Sequence, residues 1–306
     1  MSKINDIAII FTSIFLEAVP FILLGVIISA IIQEFVSDEF FKKIIPKNPI
    51  LGSIVGILLG FFIPSCDCAV IPVARRLIKK GVPLNVAVSF MIASPILNPV
   101  SIFATVYAFG VRIPEMILYR TVIGAFIAFI VGILISFVTK PNEVLNQIDS
   151  EDDSSCCSHG SCCNTLQNSK GIKSKIVNIF NHARIEFLDI MKFLTVGALI
   201  AALSQVLISR TALVEFSSMG GGIFETIILM LFAYMISLCS TADSFVAKTF
   251  IGQFTNNSIL AFLLLGPMID IKNTLVLVKN FNSKFVVKLL ISIFVLVFIF
   301  ATVVKF

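Results

Sequence analysis

Two cysteines flank an aspartate at residues 66 to 68, inside the stretch PSCDCAVIPVARR (residues 64–76), and a third cysteine, Cys239, opens CSTADSFVAK. Thiolates are soft ligands that take copper(I), zinc or trivalent metalloids in preference to magnesium or calcium. Residues two apart on a regular helix point to nearly opposite faces, so Cys66 and Cys68 meet one ligand only where the chain is unwound. Pro64 and Pro72 bracket the segment and favour such a break. In this reading Asp67, Asp243 and Asp270 add oxygen ligands or take up protons. The competing reading makes each cysteine a small buried hydrophobe.

A second set of thiols lies in the tract CCSHGSCC, where Cys156, Cys157, Cys162 and Cys163 surround His159. Short Cys/His tracts bind metals. Ligand pairs in folded zinc sites are spaced more widely, so this tract reads as an adaptable thiol sponge. Disulfides compete with that reading, and a cytosolic location would keep the thiols reduced.

Carboxylates in apolar surroundings form the third group. Glu17 sits near the middle of an apolar run and Asp189 in a related one. A carboxylate at mid-membrane costs about 2.5–3.5 kcal/mol on insertion scales, so both are expected to face the interior. Either proton coupling or a helix–helix hydrogen bond accounts for them. Asn98, Asp270, Lys272 and Asn273 cluster at SPILNPVS and GPMIDIKN, where they can coordinate a cation or satisfy freed backbone groups. Arg75 and its counterpart Lys248 read as positive anchors at the cytoplasmic mouth.

The elements that must position these groups are membrane helices. Of 306 residues, 58% are hydrophobic and only 13% charged, and the mean hydropathy is +1.03. A bilayer core ~30 Å thick needs roughly 20 apolar residues per crossing. Eight apolar segments are expected, at 7–32, 50–63, 84–109, 114–138, 187–208, 222–239, 256–278 and 285–304, the second and sixth being the shortest. The runs are continuous, so the chain is an all-α polytopic membrane protein and not a β-barrel. The first run is too long for a cleaved signal peptide and lacks a small-residue exit. The net charge of +5 sits mostly in loops and flanks, which indicates a lipid bilayer and no nucleic acid as partner. Counting eight crossings puts both termini, the segment 139–183 and the clusters Arg75, Arg76, Lys79, Lys80 and Lys170, Lys173, Lys175, Arg184 in the cytoplasm. Lys42, Lys43 and Lys47 then fall on the wrong side.

The sequence also repeats. FLEAVPFILLGVIISAIIQ (residues 15–33) aligns without a gap on FLDIMKFLTVGALIAALSQ (residues 187–205), so that Glu17 answers to Asp189. CDCAVIPVAR then matches CSTADSFVAK, and SPILNPVS matches GPMIDIKN. This divides the chain into a first transmembrane repeat (1–138), a polar Cys-rich linker (139–183) and a second repeat (184–306). Pro64, Pro72, Pro95 and Pro99 predict broken helices. Proline costs roughly 3 kcal/mol in a helix interior, and breaks at matching positions in two halves point to a transport site at the repeat interface. The linker's acidic, Ser-rich centre is too poor in apolar residues to form a core.

Taken together, PSCDCAVIPVARRLIKKG, ASPILNPVSI, LCSTADSFVAK and LLLGPMIDIKN resemble the predicted permease family that includes the ArsP organoarsenical efflux permeases. The resemblance implies an inner-membrane exporter of about eight helices, with Cys66 and Cys68 at the substrate site. The expected substrate is a thiophilic metal ion or a trivalent (organo)arsenical. Candidate substrate-binding residues are Cys66, Asp67, Cys68, Asn98, Cys239, Asp243 and Asp270, with Glu17 and Asp189 for proton coupling and Cys156, Cys157, His159, Cys162 and Cys163 for metal capture. The sequence calls for no cofactor and no enzyme: no GxxxxGK[ST] loop for ATP is present. A membrane thiol oxidoreductase and a permease subunit needing a separate partner or a homo-oligomer are the alternatives.

Overall fold

The structure is a computed structural model that describes residues 2–35, 48–62, 67–110, 113–139, 144, 172–207 and 221–304. The chain is an all-α polytopic membrane protein. Twelve helices occupy the described residues: α1 (Ser2–Phe35), α2 (Pro49–Phe62), α3 (Asp67–Lys79), α4 (Leu84–Leu97), α5 (Pro99–Phe109), α6 (Pro114–Val138), α7 (Ile172–Leu207), α8 (Gly221–Ile236), α9 (Ser240–Lys248), α10 (Asn256–Met268), α11 (Ile271–Asn280) and α12 (Ser283–Val303). Each of the eight apolar runs falls on helix over most of its described residues, with 237–239 lying beyond the end of α8. Five spans are long and apolar enough to cross a membrane, counting α4–α5 and α10–α11 as single broken helices, and three apolar helices are shorter.

Of the prolines expected to break helices, Pro72 and Pro95 lie inside α3 and α4 and Pro64 lies outside the described residues, so only Pro99 stands at a break. The segment from Asp67 is helical where the bracketing prolines predict an unwound stretch. Leu97 closes α4 and Pro99 opens α5, so Asn98 alone forms the break, its side chain accepting a hydrogen bond from Val100 N at 3.0 Å. Proline at the first helical position loses no intrahelical bond, because that N–H has no partner anyway. The matching break falls at Ile269 and Asp270, both extended, and Asp270 caps α11 through Asn273 N at 2.6 Å.

Helices α2 and α3 form a hairpin that turns back level with the Asn98 break. The stripe Gly52, Gly56, Gly60 lets α2 lie backbone to backbone along α4: Asn85 Nδ2 donates to Pro49 O at 2.7 Å, and a Cβ on Gly60 would fall 2.9 Å from Ser94 N. Partners that advance together, from Asn85 to Ser94, make α2 parallel to α4. Small residues every fourth position are how membrane helices approach this closely. Because the next helix runs the same way, α3 must return to the starting level. Its end is a left-handed cap, with Gly81 at φ 81° and Val82 N bonded to Leu77 O at 3.0 Å, a geometry glycine adopts without a steric penalty.

The second set repeats the design. Helix α8 runs parallel to α10, joined by Thr226–Ser258 (2.9 Å between hydroxyls) and Phe232–Phe262 (ring centroids 6.2 Å apart), and α9 turns back from Cys239. Residues 50–63 and 222–239, read as crossings in the eight-segment count, thus supply the descending arms of two hairpins.

The two sets run in opposite directions. Gly124 of α6 packs on Ile96 and Gly132 on Asn85 and Ser89, so α6 is antiparallel to α4. Lys288 Nζ donates to Val138 O at 3.3 Å while Phe126 meets Phe300 at 5.4 Å, so α6 is antiparallel to α12. Asn257 Nδ2 donates to Ala301 O and Val304 O, which makes α10 antiparallel to α12 and therefore to α4. Helices α1 and α7 follow suit: Ile14 clusters with Ala198 and Ala201, and Ile22 with Ile190 and Leu194.

Candidate functional site

Four half-helices begin at the level of the breaks: α3 and α9 at the hairpin tips, α5 and α11 after the interruptions. Each N-terminus presents unsatisfied N–H groups and a partial positive charge. Helix α9 packs on α5 and α11 on α3, so each contact joins one half to the other.

The second hairpin tip is the better described. Ser237 sits at φ 54°, a left-handed conformation that costs a non-glycine residue of order 1–3 kcal/mol. Its carbonyl accepts from Lys272 Nζ at 2.8 Å, and Lys272 also pairs with Asp270 at 3.4 Å. A buried lysine thereby fastens the tip to the break. Cys239 caps α9, its sulfur accepting from Ala242 N at 3.3 Å while its thiol donates to Glu17 Oε1 of α1.

Asp243 lies one turn into α9 and is 1% exposed, and neither of its carboxylate oxygens has a hydrogen-bond partner among the described residues. Its carboxylate lies over Gly266, where a Cβ would collide with it. Leaving a buried carboxylate without donors is costly, so this group is held ready for something other than packing.

Flanking Asp243 is a residue that the sequence reading passed over. Arg120 of α6 is 2% exposed. It donates to Ser101 Oγ at 3.2 Å and to Thr105 Oγ1 on α5, and to Ser244 Oγ at 2.6 Å and Ser240 O at 3.0 Å on α9. The planar guanidinium can serve several acceptors at fixed angles, which a lysine cannot. An arginine six residues inside an apolar run was the available signal.

Of the candidates, then, Glu17, Cys239, Asp243 and Asp270 lie around the second tip and break. Asn98 is 9% exposed and caps α5. Cys66 lies outside the described residues, as do the side chains of Asp67, Cys68 and Asp189 and the whole tract of Cys156, Cys157, His159, Cys162 and Cys163. Among the described residues no group of three His, Cys, Asp or Glu side chains is gathered as a metal site.

The family model described as "Predicted permease" matches residues 3–306. The UPF0718 protein YcgR of Bacillus subtilis is 38% identical over 296 residues, covering 97% of this chain and 96% of that one. A protein of Streptococcus mutans named a putative two-component membrane permease complex subunit is 34% identical over 288 residues, covering 94% and 91%. The UPF0718 protein YraQ of Escherichia coli is 25% identical over 87 residues, 28% of this chain and 25% of that one. No solved structure matches.

Proposed function

Because the chain belongs to the predicted permease family, we propose that this membrane permease is a secondary efflux transporter whose substrate passes between the two hairpin tips, beside Asp243. The observation that carries the reading is the buried carboxylate of Asp243, without hydrogen-bond partners, at the meeting of a hairpin tip and a helix N-terminus. Matched broken helices at an interface between inverted halves are the arrangement in which transporters bind their substrates. Cys239 beside it, its repeat mate Cys66 and the neighbouring Cys68 would suit a thiophilic metal ion or a trivalent organoarsenical. Glu17, hydrogen-bonded to the Cys239 thiol, is placed to exchange a proton when that thiol takes a ligand. The Cys156–Cys163 tract would supply the ion from the cytoplasm.

The charge distribution orients the molecule. At one face lie the ends of α3, α6 and α11 and the starts of α7 and α12, with Arg75, Arg76, Lys79, Lys80, Lys173, Lys175, Arg184, Lys279 and Lys284; at the other lie the start of α1 and the end of α9, with Lys3 and Lys248. Positive short segments stay inside. We therefore assign the first face, with the linker, to the cytoplasm. This brings Lys42, Lys43 and Lys47, which join α1 to α2, to the same side, and moves the start of α1 and the end of α12 outside.

Uptake of trivalent methylarsenite, copper(I) or zinc into everted vesicles tests the reading. One of the three should accumulate, and Asp243→Asn and the Cys66→Ser, Cys68→Ser variant should each lower its initial rate at least tenfold. Accumulation of none by a correctly folded chain would remove the thiophilic substrate. The Streptococcus mutans relative is named as a subunit of a complex, so a second reading has the chain working with a partner; flux that returns only on co-expression with a neighbouring gene product would favour it.

A further inference from the structure

Residues that correspond in two matched halves are expected to have corresponding neighbours, yet one such pair does not. Gly25 of α1 aligns with Gly197 of α7. A Cβ on Gly25 would fall 2.5 Å from Cβ and 2.9 Å from Cα of Ala69, in the first turn of α3; a Cβ on Gly197 would fall 2.8 Å from both Cα and Cβ of Lys272, in the first turn of α11. Both helices thus rest backbone to backbone on a half-helix. They do so on the same side of the molecule, because α3 and α11 are neighbours. Symmetry would seat α7 on α9 at Ala242, the mate of Ala69, and α1 on α5 at Val100, the mate of Lys272.

The consequence shows in burial. Ala69 is 1% exposed and Lys272 5%, whereas Val100 is 56% exposed and Ala242 only half-buried. Around the empty position Phe103, Tyr107 and Phe245 are exposed as well, and Tyr107 packs on Phe245 at 6.2 Å. Position 242 keeps a residue small enough to receive a glycine, and α5 and α9 are joined to each other through Arg120, whose partners lie on neither α1 nor α7.

We propose that the α5–α9 surface is a second docking seat for this chain's own α1–α7 pair, and that the pair exchanges between the α3–α11 and α5–α9 seats. Repeat mates then trade environments, and two equivalent arrangements of one sequence give the two access states of the Asp243 site. This rests on the transport reading for its purpose but not for its geometry.

Pulsed electron–electron resonance on the full chain in proteoliposomes tests it, with native cysteines replaced by serine and spin labels at Val196→Cys with Phe245→Cys (α7 to α9) or Val196→Cys with Val278→Cys (α7 to α11). Two distance populations are expected for each pair, one shortening as the other lengthens by about a helix spacing, roughly 8–10 Å. Ala242→Leu should remove the short α7–α9 population, and Ala69→Leu should make it the major one. A single population in both pairs, unmoved by either substitution, would overturn the proposal. So would a dipolar signal between copies labelled only at Phe245→Cys, because a second chain would then cover the seat. Two populations without flux would retain the exchange and discard transport; flux with one population would do the reverse.

Discussion

At the residue scale, Arg120 joins the halves through four acceptors, and these partners make its contribution testable. Four acceptors on α5 and α9 would lose a charged donor in Arg120→Leu, and hydrogen bonds to charged groups contribute about 1.5–3 kcal/mol each. The variant should lose at least ~3 kcal/mol, seen as a lowered thermal midpoint in detergent, and Arg120→Lys should recover only part of it. An unchanged midpoint for Arg120→Leu would mean that the network is ornamental. By contrast Asn98→Ala removes one cap and should cost only about 1 kcal/mol while leaving vesicle uptake intact. Asp243 and Cys239 were legible in the sequence because they stand in a repeat-matched block beside a break. Arg120 was not, since one arginine near the head of an apolar run looks like a surface anchor and nothing local shows that α5 and α9 will be brought to it. Asn98 and Asp270 were legible as polar groups at breaks, and the structure gives each a capping bond.

At the element scale, the hairpins depend on glycine. Gly56 faces the backbone of α4 at Val86 and Phe90, so Gly56→Leu should push α2 off α4. Overpacking of this kind costs typically 1–3 kcal/mol and should appear as a lowered thermal midpoint in detergent. A wild-type midpoint would show that α2 does not rest on the backbone of α4. Apolar content located ten of the twelve helices and missed α3 and α9, which lie outside the eight runs and are too polar to be read as spans. Whether a run crosses or turns back is decided by length and by neighbours. At 1.5 Å per residue, the 14 residues of α2 and 16 of α8 reach about 21 and 24 Å, short of the ~30 Å core. Only the parallel packing of α2 against α4 and of α8 against α10 reveals the return.

At the scale of the molecule, the halves are inverted, and the orientation proposed above would then remove the conflict left by counting charges on eight crossings. With hairpins that return, the helix directions fit three crossings per half, by α1, α4–α5 and α6 and then by α7, α10–α11 and α12, five of which are long and apolar enough to span by themselves. An odd number reverses the second half. The repeat was plain in the sequence, but its hand was not, because direction depends on crossing parity and parity on two hairpins that resemble short spans. The measurement that bears most directly on this architecture is sidedness labelling of intact cells with a membrane-impermeant maleimide. Chains carrying one cysteine each, at Ser2→Cys, at Lys248→Cys or as native Cys156 in the linker, would be compared before and after permeabilisation. Inverted halves predict that Ser2→Cys and Lys248→Cys react from outside and Cys156 only after permeabilisation. Reaction of all three from the same side would contradict it.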